Sequence, residues 1–215
     1  MEDEYVGFTL SKAWSETARR FHNEFKVSVG FVNGKRCLGG MIELFMHCHY
    51  LIAEENAQLG MPEVTLPVVP GMEGCHWALR KVKVSDRGKV IEMLLTGKSV
   101  KAGKATGWLV DFAGSFDAAL QKAWDVASGK GDGLPLQPVE QGAFDISIEA
   151  PSIDPSGNPS IEAGRKAIMD CMKASCGVTL SEALEVQAKH SAGFMLDKAC
   201  QRGVIGSNYY KVMKI

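Results

Sequence analysis

Hydrophobic positions over residues 9–25 fall at Leu10, Trp14, Ala18, Phe21 and Phe25, the three-to-four spacing of one helix face, behind a cap-like Thr9/Ser11 start. The period then shortens: "KVSVGFVN" (26–33) alternates and is rich in Val and Phe, which predicts a strand. Asn33-Gly34 turns the chain, and Gly39-Gly40 lead into an expected helix over residues 40–53, apolar nearly all round and therefore buried. Residues 57–74 are punctuated by Gly and Pro, the mark of short strands and loops. Helices are expected near 75–84, 86–97, 100–109 and 115–129, the last with Phe116, Leu120, Trp124 and Ala127 on one side. Residues 161–175 and 180–202 give two more, the second broken near Gly193. From Gly129 to Gly164, ahead of both, five of the eight prolines (Pro135, Pro138, Pro151, Pro155, Pro159) mark an extended excursion. A strand–helix–strand–helix run followed by helices predicts an α/β fold with a helical C-terminal part.

Composition narrows the classes. A net charge of −1 over 215 residues argues against a nucleic-acid partner or an anionic membrane surface. No apolar run approaches the roughly 20 residues of a membrane span, and "MEDEYVGF" lacks the basic start of a signal peptide. Six cysteines without a CxxC pair read as reduced thiols, so a cytoplasmic location is expected. His47 and His49 lie two apart, on different sides of a helix, and no metal site is expected there.

One helix carries the candidate chemistry. Glu43 is the lone carboxylate among Met41, Ile42, Leu44, Phe45 and Met46, where an unpartnered charge costs several kcal/mol or shifts its pKa. The N–H groups at the Gly39-Gly40 helix start would be free to hold a developing oxyanion, and Glu43 lies about one turn further on. Glu63, in "GMPEV" behind Pro62, is a second carboxylate, and two carboxylates beside one oxyanion site suit acid/base chemistry. Each feature has an ordinary reading: a Gly-Gly turn, a dipole-facing glutamate, a surface residue after proline. Glu73 and His76 are expected as surface loop residues, and nothing in the sequence near Cys75 marks it as an activated nucleophile.

The combination is more specific. "VSVGFVNGKRCLGGMIELFMHCHYLIAEENAQLGMPEVTLPVVPGMEG" resembles the crotonase superfamily, the enoyl-CoA hydratase/isomerase family, and the likeness continues through "IEMLLTGKSVKAGKATGWLVDF". It runs well over residues 26–127 and more loosely over 161–197. The resemblance implies a crotonase-like spiral ββα core with a C-terminal helical region, N-terminally truncated. It divides the chain into a partial core (1–128), a Pro/Gly-rich insertion or linker (129–163) and a C-terminal helical oligomerisation region (164–215). It implies that Glu43 and Glu63 are catalytic, that Gly40 donates to the thioester oxygen, and that Gly39, Met41, Pro62 and Gly71 line the substrate. The implied reaction is hydration of a 2-enoyl-CoA; isomerisation, acyl-CoA hydrolysis or a non-catalytic, partner-dependent subunit are the alternatives. Coenzyme A would be part of the substrate, with no separate cofactor. The expected partners are an acyl-CoA thioester, copies of the chain in a homotrimer or hexamer, and a chain supplying the missing N-terminal segment and the first oxyanion donor, for which residues 1–33 offer no candidate. Met41, His49 and Glu73 stand where the family pattern has glycine, aspartate and glycine, and the ending "GSNYYKVMKI" departs from it.

Overall fold

A computed structural model describes residues 2–130, 134 and 136–206. The chain opens with helix α1 (Glu2–Asn23), longer at its start than the periodicity from residue 9 predicts. Two short strands follow, β1 (Val29–Val32) and β2 (Arg36–Leu38), then helix α2 (Gly40–Met46), β3 (Tyr50–Glu54) and β4 (Gln58–Gly60). The strand pair thus repeats across a helix. β1 runs parallel to β3 (Phe31 opposite Ile52) while β2 runs parallel to β4 (Cys37 opposite Leu59), so each turn of the spiral adds one strand to each of two sheets. The second turn is completed by β5 (Val100–Lys101), antiparallel to β4, and β6 (Phe112–Gly114), parallel to β3.

The expected helix over 40–53 is in fact two elements. α2 ends after seven residues, and Tyr50–Glu54 is a strand. Ser28 decides the break: its Oγ accepts from the His49 N–H (3.1 Å), its N–H donates to His49 Nδ1 (3.1 Å), and its carbonyl accepts from Tyr50 (3.1 Å). Leu51, Ile52 and Ala53 are buried on both faces, so the strand shows no alternation and reads as a continuation of the apolar helix. The expected helix over 100–109 is likewise β5 plus a single turn, α5 (Ala102–Ala105), because Ala102 and Gly103 donate to Ala57 and Glu55.

Helices α3 (Trp77–Lys81) and α4 (Arg87–Thr96) pack Trp77, Leu79, Ile91 and Leu94 into the core with Ile42, Leu51 and Leu59. Each such side chain contributes about 1.5–3 kcal/mol by leaving water. α6 (Phe116–Ala127) covers the β1–β3–β6 sheet through Ala119 and Val126, leaving Phe116, Leu120 and Trp124 exposed. The described part of the proline-rich excursion packs on the core rather than spanning it: Val139 and Ile146 are buried, and Glu140 and Phe144 donate to the carbonyls of Arg80 and Cys176. Pro135 and residues 207–215 lie outside the described residues.

The C-terminal helices are α7 (Pro159–Cys176), α8 (Leu180–Met195) and α9 (Lys198–Gly206). The break falls after Met195, and Gly193 stays helical. Ile168, Met172 and Leu184 are buried within the chain, while Met195 and Leu196 are exposed. α8 lies against α1. Together those two helices hold the loop that closes the site.

Candidate active site

Glu43 and Glu63 meet at the start of α2. Gly39 has φ +60° and ψ −137°, a conformation that suits glycine, and its N–H donates to the Gly60 carbonyl (2.9 Å). That bond ties the helix start to the end of β4, two residues before Pro62 opens a short 3-10 turn (Pro62–Thr65) carrying Glu63. A Cβ at Gly39 would lie 3.0 Å from Glu63 Oε1, and one at Gly40 would lie 4.0 Å from Glu43 Oε2. The adjacent glycines therefore face one carboxylate each. Gly40 and Met41 are exposed, Gly39, Pro62 and Gly71 half-buried, and both glutamates buried.

The two carboxylates have unlike surroundings. Glu43 Oε1 accepts from the N–H groups of Met72 and Gly74, both at 2.8 Å. Glu63 Oε2 is buried without a partner among the described residues. Burial pushes Glu43 up to about 7, against the pull of the Met72, Gly74 and Gly71 amides. Burial also pushes Glu63 up to about 8, with the charge of Glu43 adding to it. The amides favour the ionised form of Glu43, and nothing comparable favours that of Glu63. A proton shared by the pair therefore favours Glu63 over Glu43.

Glu73 and His76 are not surface residues. Both are fully buried, and the Glu73 carboxylate meets Arg19 of α1, His47 and His76. Burial works against that charge, yet hydrogen bonds from His47 and Arg19, with the His76 ring 3.1 Å away, hold the carboxyl well below the usual range. Sequence reasoning missed this cluster because "PGMEGCHW" has the look of a polar loop. The one signal was a carboxylate, two residues after Gly71, where the family pattern has glycine. His47 and His49 turn to different partners, His47 to Glu73 and His49 to Ser28. Cys75 is fully buried, and burial, Cys171 and the two glutamates push its thiol up, away from a nucleophilic thiolate. A separate cavity of about 320 Å³, lined by Lys81, Trp108 and Asp111 among others, includes neither glutamate.

The family model described as enoyl-CoA hydratase/isomerase matches residues 7–127. The chain belongs to the enoyl-CoA hydratase/isomerase family. The fatty acid oxidation complex subunit alpha of Shewanella halifaxensis (strain HAW-EB4) is 30% identical over 189 residues, covering 79% of this chain and 25% of that protein. The glyoxysomal fatty acid beta-oxidation multifunctional protein MFP-a of Brassica napus is 41% identical over 107 residues, covering 47% of this chain and 14% of that one. The chain thus spans a quarter or less of the length of these two relatives. The crystal structure of an enoyl-CoA hydratase from Mycobacterium smegmatis superposes with a TM-score of 0.63 at 14% identity, over 97% of this chain and 60% of that one, a likeness of fold. Among the described residues no helix is long and apolar enough to cross a membrane.

Proposed function

We propose that the chain catalyses the reversible addition of water to a 2-enoyl-CoA thioester. The observation that carries this reading is the asymmetry of the buried pair, with Glu43 Oε1 on the amides of Met72 and Gly74 and Glu63 Oε2 without a partner among the described residues. Hydration needs one base and one acid on the same face at the same pH. Glu43 as carboxylate would take a proton from the water that attacks Cβ, and protonated Glu63 would deliver one to Cα. The Gly40 N–H, opening α2, would hold the thioester oxygen as negative charge develops on it. Such a donor is typically worth about 2.7–4 kcal/mol of barrier. Coenzyme A enters as part of the substrate, so no separate cofactor is required. Gly39, Met41, Pro62 and Gly71 would line the acyl chain.

Crotonyl-CoA hydration, followed by loss of the conjugated absorbance, tests this. Glu43→Gln and Glu63→Gln are each expected to lower kcat by about 10²–10⁴-fold, the usual contribution of a positioned acid or base. Unchanged turnover in both variants sinks the two-glutamate mechanism. Isomerisation of a 3-enoyl-CoA that survives Glu43→Gln but not Glu63→Gln would point to the isomerase reaction instead.

A further inference from the structure

Glu43 takes its two hydrogen bonds from the residues on either side of Glu73. Glu73 has φ +65°, a left-handed conformation that a residue with a Cβ adopts only when its surroundings hold it there. Its side chain is held from two other elements. Arg19 of α1 donates to the carboxylate through Nε (2.8 Å) and Nη2, and also donates to the Leu180 carbonyl at the start of α8. His47, just past the end of α2, reaches it through Nε2 (3.2 Å). The other ring nitrogen of His47 donates to the backbone carbonyl of Glu43 itself (2.8 Å). Both nitrogens of His47 therefore face oxygen atoms, one of Glu73 and one of Glu43. His76 takes a bond on Nδ1 from Arg80 Nε (3.2 Å), which leaves its proton on Nε2, 3.1 Å from Glu73 Oε1.

The rest of the loop is held from the same side. Ser11 of α1 donates to the Gly71 carbonyl, Gln187 of α8 donates to the Pro70 carbonyl (2.9 Å) and accepts from the Cys75 N–H (3.1 Å), and Ser191 donates to the Val69 carbonyl (3.3 Å). These bonds fix the ends of the loop. At the apex the Glu73 carbonyl accepts from the His76 and Trp77 N–H groups (3.1 and 2.9 Å), which ties it to α3, and the Glu73 side chain ties it to α1 and to the end of α2. The apex sets the direction of the Met72 and Gly74 N–H groups.

We propose that Glu73 is the positioning residue for Glu43: clamped by Arg19 and His47, it holds the left-handed turn that aims the Met72 and Gly74 amides at the Glu43 carboxylate. This role rests on the reading of Glu43 as the water-activating base. Glu73 does not touch substrate; it acts through the two amides.

The test uses the ¹⁵N-labelled full chain with Glu73→Gly, which suits the left-handed backbone without a side chain, and Arg19→Met, which cuts the clamp from the other element. Amide proton shifts of Met72 and Gly74 are followed through pH. Groups whose titration could reach them are Glu43, Glu63, Glu73, Cys75, His47 and His76, with the fixed charge of Arg19, so a Glu43→Gln control marks the Glu43 component. In the wild type both amides follow Glu43. In both variants that component is expected to fall to less than a third of its wild-type size, and hydration kcat is expected to drop at least tenfold with KM within twofold. Retained amide titrations in the two variants, or a lowered melting temperature without them, overturn the proposal. If the wild type hydrates no enoyl-CoA, the functional reading fails, and the amide titrations alone then support or overturn the positioning role.

Discussion

Glu63 carries the largest uncompensated cost at the site. Its folded-state pKa of about 8 lies above the ordinary value of 4.5, so the folded chain binds that proton more tightly than the unfolded chain does. The stabilisation this gives is full below about pH 4.5 and is lost as the pH rises through about 8. His22 and His76, pushed down by burial, act in the opposite sense at lower pH, but from pH 7 upward they are largely neutral in both states. Thermal melts from pH 7 to 8.5 are therefore expected to fall for the wild type relative to Glu63→Gln, with the variant gaining on the order of 1 kcal/mol across that window. A constant offset between the two would mean that Glu63 titrates as an ordinary carboxyl. At this scale Glu43 was legible, because a single carboxylate in an apolar run demands a partner. Its partners were not: the amides of Met72 and Gly74 lie 29 and 31 residues further along, the Arg19 guanidinium that holds Glu73 between them lies 54 residues before Glu73, and only the fold brings them together.

Among the elements, α4 has the clearest stop. Gly97 sits at φ +69° and donates to the Met93 carbonyl (3.0 Å), and a Cβ there would lie 2.7 Å from Thr65 Cγ2 and 3.1 Å from Val64 Cγ1. Both neighbours belong to the turn that carries Glu63. Gly97→Ala is expected to cost about 1–2 kcal/mol from the left-handed backbone alone, measurable by urea unfolding, and the contact should also disturb the Glu63 turn. A variant as stable as the wild type would mean the helix end shifts without strain. The 86–97 and 115–129 helices were readable because caps and period agree there: Gly97 closes one, and Ser115 opens the other by accepting from the Ala118 N–H. The strand over 50–54 was not, because a strand buried on both faces has no alternation, and the bond that separates it from α2 comes from Ser28, 21 residues earlier.

For the molecule as a whole, the sequence divides at the proline-rich excursion, while the packing runs across it. Arg80, 2% exposed, is the reason. Its guanidinium donates to the carbonyls of Glu140 (2.9 Å), Gly142 (2.8 Å), Ser175 (2.7 Å) and Val178 (2.8 Å), and to His76 Nδ1 (3.2 Å). Nothing in "HWALRK" announces four carbonyl acceptors lying 60 to 98 residues downstream. A fragment ending at residue 128 would leave this buried cation without them, at a cost of about 3–5 kcal/mol. That fragment is expected to unfold without a cooperative transition by circular dichroism, where the full chain melts cooperatively. A sharp melt of the fragment would show that the core stands alone.

The same guanidinium bears on the order in which the chain assembles. Its acceptors are emitted from the ribosome long after Arg80 itself, and at about 5–20 residues per second the last of them follows several seconds behind. During that interval Arg80 lacks these acceptors, so its buried site can be completed only after Val178, just past the end of α7, has been made.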